Sequence, residues 1–164
     1  SPSPNLRTVG QAALYPGIGA IEGTNISVGR GTDTPFEQIG APWVDGVRLS
    51  RILNDRGLGG VRFYPVEFRP TSSAFARELC RGVHVIVTNR DALRPVRVGL
   101  EIATALHRLH PGLFDLDAAA RLFGSQDALD RIKAGDDPVD IAASWSQGER
   151  EWRRRVAAFL LYRP

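Results

Sequence analysis

The sequence has a single cysteine, Cys80, and no methionine in 164 residues. One thiol excludes an internal disulfide framework and any metal site built on several cysteines. No apolar run approaches the roughly 18 residues of a membrane-spanning helix, so no membrane span is expected. Absence of methionine, from the opening Ser1-Pro2-Ser3-Pro4 onward, leads us to expect a segment of a longer product, with any export signal upstream. Charge of neither sign dominates: 21 Lys and Arg against 18 Asp and Glu give a net +3 and a pI near 9.6. That balance permits anionic partners, including cell-wall polymers, and is too modest to point to nucleic acid. The longest basic run, Arg153-Arg154-Arg155, falls in a helical pattern and reads as a solvated helix face.

What is present is an ordinary globular composition, 43% hydrophobic and 24% charged, long enough for one domain with a core. Residues 1–46 are rich in Gly, Pro, Thr and Asn, with little helical periodicity, and we expect loops and short extended pieces there. Residues 47–112 alternate signals. Val47, Leu49, Ile52 and Leu53 suit a short helix stopping at Gly57, and Val61-Arg62-Phe63-Tyr64 alternates like a strand. Val83-His84-Val85-Ile86-Val87 has the β-branched content of a buried strand. Pro95 suits a helix first turn, with Val98, Ile102, Leu106 and Leu109 at helical spacing and Pro111-Gly112 as the stop.

Residues 113–164 are helical in pattern throughout. A helix from Leu116 to Phe123 ends at Gly124. Ser125 caps a second that ends at Gly135, and Asp137-Pro138 opens a third. A final helix sets Trp145, Trp152, Val156, Phe159 and Leu160 in one stripe expected to dock on the sheet. The fold class is α+β: one domain over 1–164, a small mixed sheet packed with helices, a glycine-rich N-terminal loop segment, and a helical C-terminal third.

The stretch from Leu14 to Trp43 is the candidate site. It holds six glycines, three threonines, Asn25, Ser27, Arg30 and the carboxylates Glu22, Asp33 and Glu37. So few aliphatic side chains imply a small contribution to the core, and so many small polar groups suit a hydroxyl-rich or anionic ligand. A structural loop whose polar groups satisfy one another accounts for the same composition, and both readings stand. Gly17-Ile18-Gly19 lacks the third glycine of a dinucleotide fingerprint, and no Gly-Lys-Ser/Thr phosphate loop exists. Asn25-Ile26-Ser27-Val28-Gly29 misses the nucleophile elbow. His107 and His110 share a helix end without a third ligand, and Cys80 reads as a small core residue. No cofactor and no bound metal are expected.

Within that stretch, Glu22-Gly23-Thr24-Asn25-Ile26-Ser27, Gly29-Arg30-Gly31-Thr32-Asp33-Thr34-Pro35-Phe36 and Gly40-Ala41-Pro42-Trp43 resemble the signature of the bacterial exo-β-N-acetylmuramidase family, formerly a family of unknown function. The likeness runs on through Phe63-Tyr64-Pro65, Cys80-Arg81-Gly82-Val83, Pro95-Val96-Arg97-Val98-Gly99-Leu100 and Leu122-Phe123-Gly124 to Phe159-Leu160-Leu161-Tyr162. The resemblance implies a glycosidase that releases N-acetylmuramic acid from the non-reducing ends of peptidoglycan fragments. It also implies a two-domain protein, in which this chain is the smaller C-terminal domain and lines a cleft against a Rossmann-like N-terminal one. The expected partners are peptidoglycan-derived saccharides and that N-terminal domain, and the expected location is exported, periplasmic or extracellular.

Glycoside hydrolysis ordinarily uses two carboxyl groups flanking the scissile bond, and Glu22 is the candidate catalytic residue here. Its alternative role is a hydrogen-bond acceptor that holds the loop. Arg30 is the candidate partner of the lactyl carboxylate of muramic acid. Thr24, Asn25, Ser27 and Thr32 are candidates for the hydroxyl and acetamido groups, and Trp43 for stacking on a pyranose face, with a core role open to it. Asp33 reads as a turn residue, and Asn89 carries no catalytic expectation. The second carboxyl group is expected from the N-terminal domain, which would leave the chain inactive alone. The competing reading is a non-catalytic carbohydrate-binding or assembly module of the cell envelope. A phosphate or nucleotide module would use the glycines and Arg30 but has no fingerprint.

Overall fold

The computed structural model describes Ser3 and residues 5–161. Ser1, Pro2, Pro4 and Tyr162, quoted above, lie outside the described residues. The chain opens on a helix where loops were expected. Helix α1 spans Val9–Ile21 and is set by Thr8, whose hydroxyl accepts from the Gln11 backbone N–H while the Gln11 side chain accepts from Thr8 in return. This reciprocal cap satisfies two of the donors that a helix start leaves open. Leu14, Gly17, Ile18 and Ile21 form its buried side, a spacing of one helical face. Glycine content and Pro16 conceal that periodicity. The glycines serve a close helix crossing instead: a Cβ on Gly17 would stand 1.8 Å from the Pro95 carbonyl oxygen, and one on Gly99 2.3 Å from that of Gly17. The core gained by this contact outweighs the weak propensity of glycine.

Three strands follow: β1 (Gln38–Ala41), β2 (Val61–Phe68) and β3 (Cys80–Val87), ordered β1-β3-β2. Both pairings are antiparallel, with Ile39 opposite Val83 and Phe63 opposite Val85. The α+β class holds, and the sheet is antiparallel throughout where a mixed one was expected. The centre goes to β3, whose Cys80, Val83 and Val85 are buried. Pro65 is tolerated within β2 because β2 is an edge strand with one row of donors unpaired.

Helix α2 (Gly46–Asp55), capped by the Asp45 carboxylate, lies on the sheet, and α3 (Pro95–Leu109) lies between it and α1. Helix α3 is buried continuously from Val98 to Leu106. Its one buried charge, Glu101, accepts from Arg56 at 3.0 and 3.1 Å and from the guanidinium of Arg97. Arg56 also reaches Asp137 at 2.5 Å. This network ties α3 to the start of the C-terminal helices and supplies the partners that a buried carboxylate requires.

Those helices begin with a 3₁₀ turn at Asp117–Ala119 that leads into α4 (Ala120–Phe123), a break in the single helix expected from Leu116. Helix α5 (Gln126–Ala134) is capped by Ser125, and α6 (Pro138–Ser144) by Asp137, as the sequence indicates. The final helix, α7 (Ser146–Val156), departs from expectation: none of its residues is buried. Trp152 is 64% and Phe159 82% exposed, so the stripe does not dock on the sheet. Only Trp145, at its junction with α6, packs against the core. The reason is occupancy: α2 already covers β2 and β3, and α7 follows α6 outward. Arg153, Arg154 and Arg155 are solvated there.

Candidate functional site

The candidate site is the loop between α1 and β1. It is built on a row of apolar anchors, because Ile26, Val28 and Phe36 enter the core along with Leu14, Ile18, Ile21 and Ile39. The segment expected to contribute little to the core therefore supplies a large share of it. Anchoring frees the intervening polar residues to shape the loop. Thr24 folds back on the end of α1, its hydroxyl donating to the Ile21 carbonyl at 2.7 Å. Asn25 clamps a distant segment: its amide donates to the Leu113 carbonyl at 2.7 Å and its carbonyl accepts from Asp115 N–H at 2.8 Å. Ser27 pairs with Gly40 of β1 through both backbone groups, and its hydroxyl accepts from Gly29 N–H. Thr32 donates to the Gly29 carbonyl at 2.7 Å and accepts from Thr34 N–H at 3.2 Å.

Glu22 and Arg30, eight residues apart, meet face to face. The Arg30 Nε donates to Glu22 Oε1 and an Nη to Oε2, the latter at 3.0 Å. This is the fork-on-carboxylate geometry that makes guanidinium the strongest planar partner of a carboxylate. The pair is partly solvated, with Arg30 30% and Glu22 25% exposed. The Arg30 plane also sits over the Phe36 ring at 5.0 Å, and the Tyr15 ring meets Phe36 edge-on at 4.9 Å. Hydrogen bonding to Glu22 pushes the Arg30 pKa above its ordinary value, against the opposing pull of burial. A permanent cation thus stands at the loop surface, held by one carboxylate.

Trp43 belongs to a different corner. Its ring meets His110 edge-on at 5.2 Å and tilts against Phe114 at 6.5 Å. His110 is more than a solvated helix-end residue: its Nε2 accepts from the Asp45 backbone N–H at 3.4 Å, and burial lowers its pKa. The exposed side of this corner opens on a cavity of about 520 Å³ lined by Pro42, Trp43, Asp45, Pro65, Glu67 and Arg81. Phe114 lies between the two residues clamped by Asn25, so the 113–115 segment links the corner to the loop. Nothing in the sequence announces the Trp43–His110 contact, since the partners are far apart and neither is in a periodic pattern with the other.

Other candidates fall outside this arrangement. Asp33 is fully exposed, 3.9 Å from Arg7. Asn89 accepts from Asp91 and Ala92 N–H and so organises a turn. Cys80 is buried in the central strand, where desolvation pushes its thiol up to about 11; it is a core residue in its chemistry as well as its place. Among the described residues no group of three or more His, Cys, Asp or Glu side chains is placed to hold a metal ion, and no helix is long and apolar enough to cross a membrane.

The family described as "Exo-beta-N-acetylmuramidase NamZ, C-terminal" matches residues 13–162. The chain is 37% identical, over 98% of its length, to the peptidoglycan beta-N-acetylmuramidase NamZ of Bacillus subtilis (strain 168), and it spans 40% of that protein. A crystal structure of a DUF1343 family protein from Bacteroides fragilis NCTC 9343 superposes with a TM-score of 0.85 at 24% identity, covering 98% of this chain and 44% of that one. A second DUF1343 protein from the same organism gives a TM-score of 0.70 at 26% identity, covering 99% of this chain and 43% of that one.

Proposed function

This chain belongs to the NamZ C-terminal family, and from that membership we propose that it forms one wall of the substrate cleft of an exo-acting β-N-acetylmuramidase. In this reading the other wall is a Rossmann-like N-terminal domain, and the reaction frees N-acetylmuramic acid from the non-reducing ends of peptidoglycan fragments. The protein works outside the cytoplasm, in the periplasm or beyond the cell, where such fragments arise. The observation that carries the reading is the partly solvated Glu22–Arg30 pair at the surface of the glycine-rich loop.

The pair supplies a chemical rationale. A lactyl carboxylate arriving at Arg30 competes with Glu22 for the same two N–H donors. Exchange of one carboxylate for the other secures the muramic acid and leaves Glu22 without its cation. Glu22 then takes up a proton and passes it to the glycosidic oxygen as the bond to C1 breaks. Water adds to C1, assisted by a second carboxyl group from the N-terminal domain. Trp43 offers a ring for a pyranose face beside its cavity. Thr24, Asn25, Ser27 and Thr32 contribute hydroxyl and amide contacts only by sharing groups already engaged within the loop; their proposed share in sugar binding is secondary.

The engagement of those four side chains favours a second reading, in which the domain is a non-catalytic wall that presents wall fragments to its partner domain. The two readings separate in the natural full-length protein. Turnover of a chromogenic β-N-acetylmuramic acid glycoside, with the N-acetylglucosamine glycoside inert, is expected of the wild type. Glu22→Gln is expected to lower kcat about 100-fold or more, the scale of lost general acid–base assistance, with KM kept or lowered, because a neutral amide competes less for Arg30. An unchanged kcat would remove Glu22 from the chemistry and leave the binding-wall reading. Hydrolysis of neither glycoside by the wild type would defeat the glycosidase assignment. The isolated chain is expected to show no turnover, since it holds only one of the two carboxyl groups.

A further inference from the structure

Among the described residues, Arg30 hydrogen-bonds to a single partner, the Glu22 carboxylate. The reading above asks that carboxylate to give way to another. A long, flexible cation with one partner would follow the partner it already has, so a second anchor is needed if Glu22 rather than Arg30 is to move. The Phe36 ring supplies one, with the guanidinium carbon over it at 5.0 Å from the centroid. The two restraints are independent, since Glu22 engages the N–H donors and the ring engages only the charge.

Phe36 holds an unusual backbone. Its φ is +65°, and of the four described residues other than glycine with positive φ it is the buried one, 1% exposed. A bulky side chain adopts that conformation only where its surroundings impose it. Here the Phe36 N–H donates to the Val28 carbonyl at 2.7 Å, and the next N–H, of Glu37, to the Thr34 carbonyl at 3.2 Å. The ring is backed in turn by Tyr15, edge-on at 4.9 Å. Tyr15 lies close over a residue without a side chain, since a Cβ on Gly19 would stand 3.1 Å from its ring. Any apolar side chain of similar volume would fill the core at position 36. What only an aromatic ring adds is a face negative enough to hold a cation.

We propose that Phe36 is a positioning residue for carboxylate recognition by Arg30. The ring fixes the cation, an incoming carboxylate takes the N–H donors, and Glu22 is the group released. Fixing the cation beforehand removes its ordering cost from binding. That the carboxylate is the lactyl group of muramic acid rests on the glycosidase reading above; the anchoring of Arg30 by Phe36 does not.

The test replaces Phe36 in the natural full-length protein, once as Phe36→Leu and once by a trifluorinated phenylalanine, which keeps the shape of the ring and cancels the negative charge of its face. Both are expected to raise KM for the chromogenic muramic acid glycoside about 3- to 10-fold, the scale of a lost cation–π contact, with kcat kept. In an Arg30→Ala background neither is expected to change KM further, because the ring then has no cation to hold. An unchanged KM in the fluorinated protein, or a rise that persists without Arg30, would overturn the proposal and leave the glycosidase reading standing. A readout that needs no turnover is the Arg30 Nε–H resonance in protein carrying isotope-labelled arginine. It is expected upfield of free arginine because of the Phe36 ring, to keep that position in Glu22→Ala, and to lose it when Phe36→Leu is added. Loss in Glu22→Ala alone would overturn the proposal, since Glu22 would then be the sole anchor. Should the wild type hydrolyse neither glycoside, this resonance decides alone.

Discussion

Two segments, 14–41 and 145–161, show opposite fates for their apolar residues. The first is crowded with glycine, threonine and asparagine, yet it delivers Leu14, Ile18, Ile21, Ile26, Val28, Phe36 and Ile39 to the core. The second carries an apolar stripe of large residues and leaves Trp152, Phe159 and Leu161 in solvent. The difference is the surface each segment meets. Helix α1 finds the small-residue face of α3, where Gly17 and Gly99 let two backbones touch. Helix α7 packs on α6 with none of its own residues buried. Burial is decided by the partner on offer as much as by the hydrophobicity of the segment.

Three substitutions sharpen that contrast, beginning at the seam between the regions. Glu101→Ala leaves Arg56 and Arg97 without their shared carboxylate, 4% exposed in the native fold. A loss of about 3 kcal/mol is expected in urea unfolding, the lower end for a broken buried pair because Arg56 is partly solvated. Gly17→Ala comes next, at about 2–3 kcal/mol, since its methyl group must push α1 off the Pro95 carbonyl. A cost below 0.5 kcal/mol would mean that the crossing has slack, and the contrast would lose its basis. Phe159→Ser should change stability by less than about 0.5 kcal/mol, as for an exposed position. A loss above about 1 kcal/mol would show that the stripe is covered in solution.

Local signals were legible in the sequence. The caps at Ser125 and Asp137, the proline that opens α3 and the stops at Gly57, Gly124 and Gly135 sit where read, because each depends on residues within one turn of the feature. Helix α1 was not legible, since what stabilises its glycines is a residue in another helix. At the site, Glu22 and Arg30 could be named one by one, but their bidentate contact arises from the path of the loop between them.

The order β1-β3-β2 also has a kinetic side. Strands β2 and β3 are neighbours in sequence, whereas β1 must wait for β3, which follows it only after α2 and β2 have passed. Pairing across longer chain separations is slower, because more chain entropy is lost before contacts form. The loop bearing Glu22 and Arg30 is fastened to the sheet through β1 and the Ser27–Gly40 bridge. The geometry of that loop is therefore acquired late in folding, and because Ile26, Val28, Phe36 and Ile39 join the core with it, loss of that edge strand would open the core along with the loop.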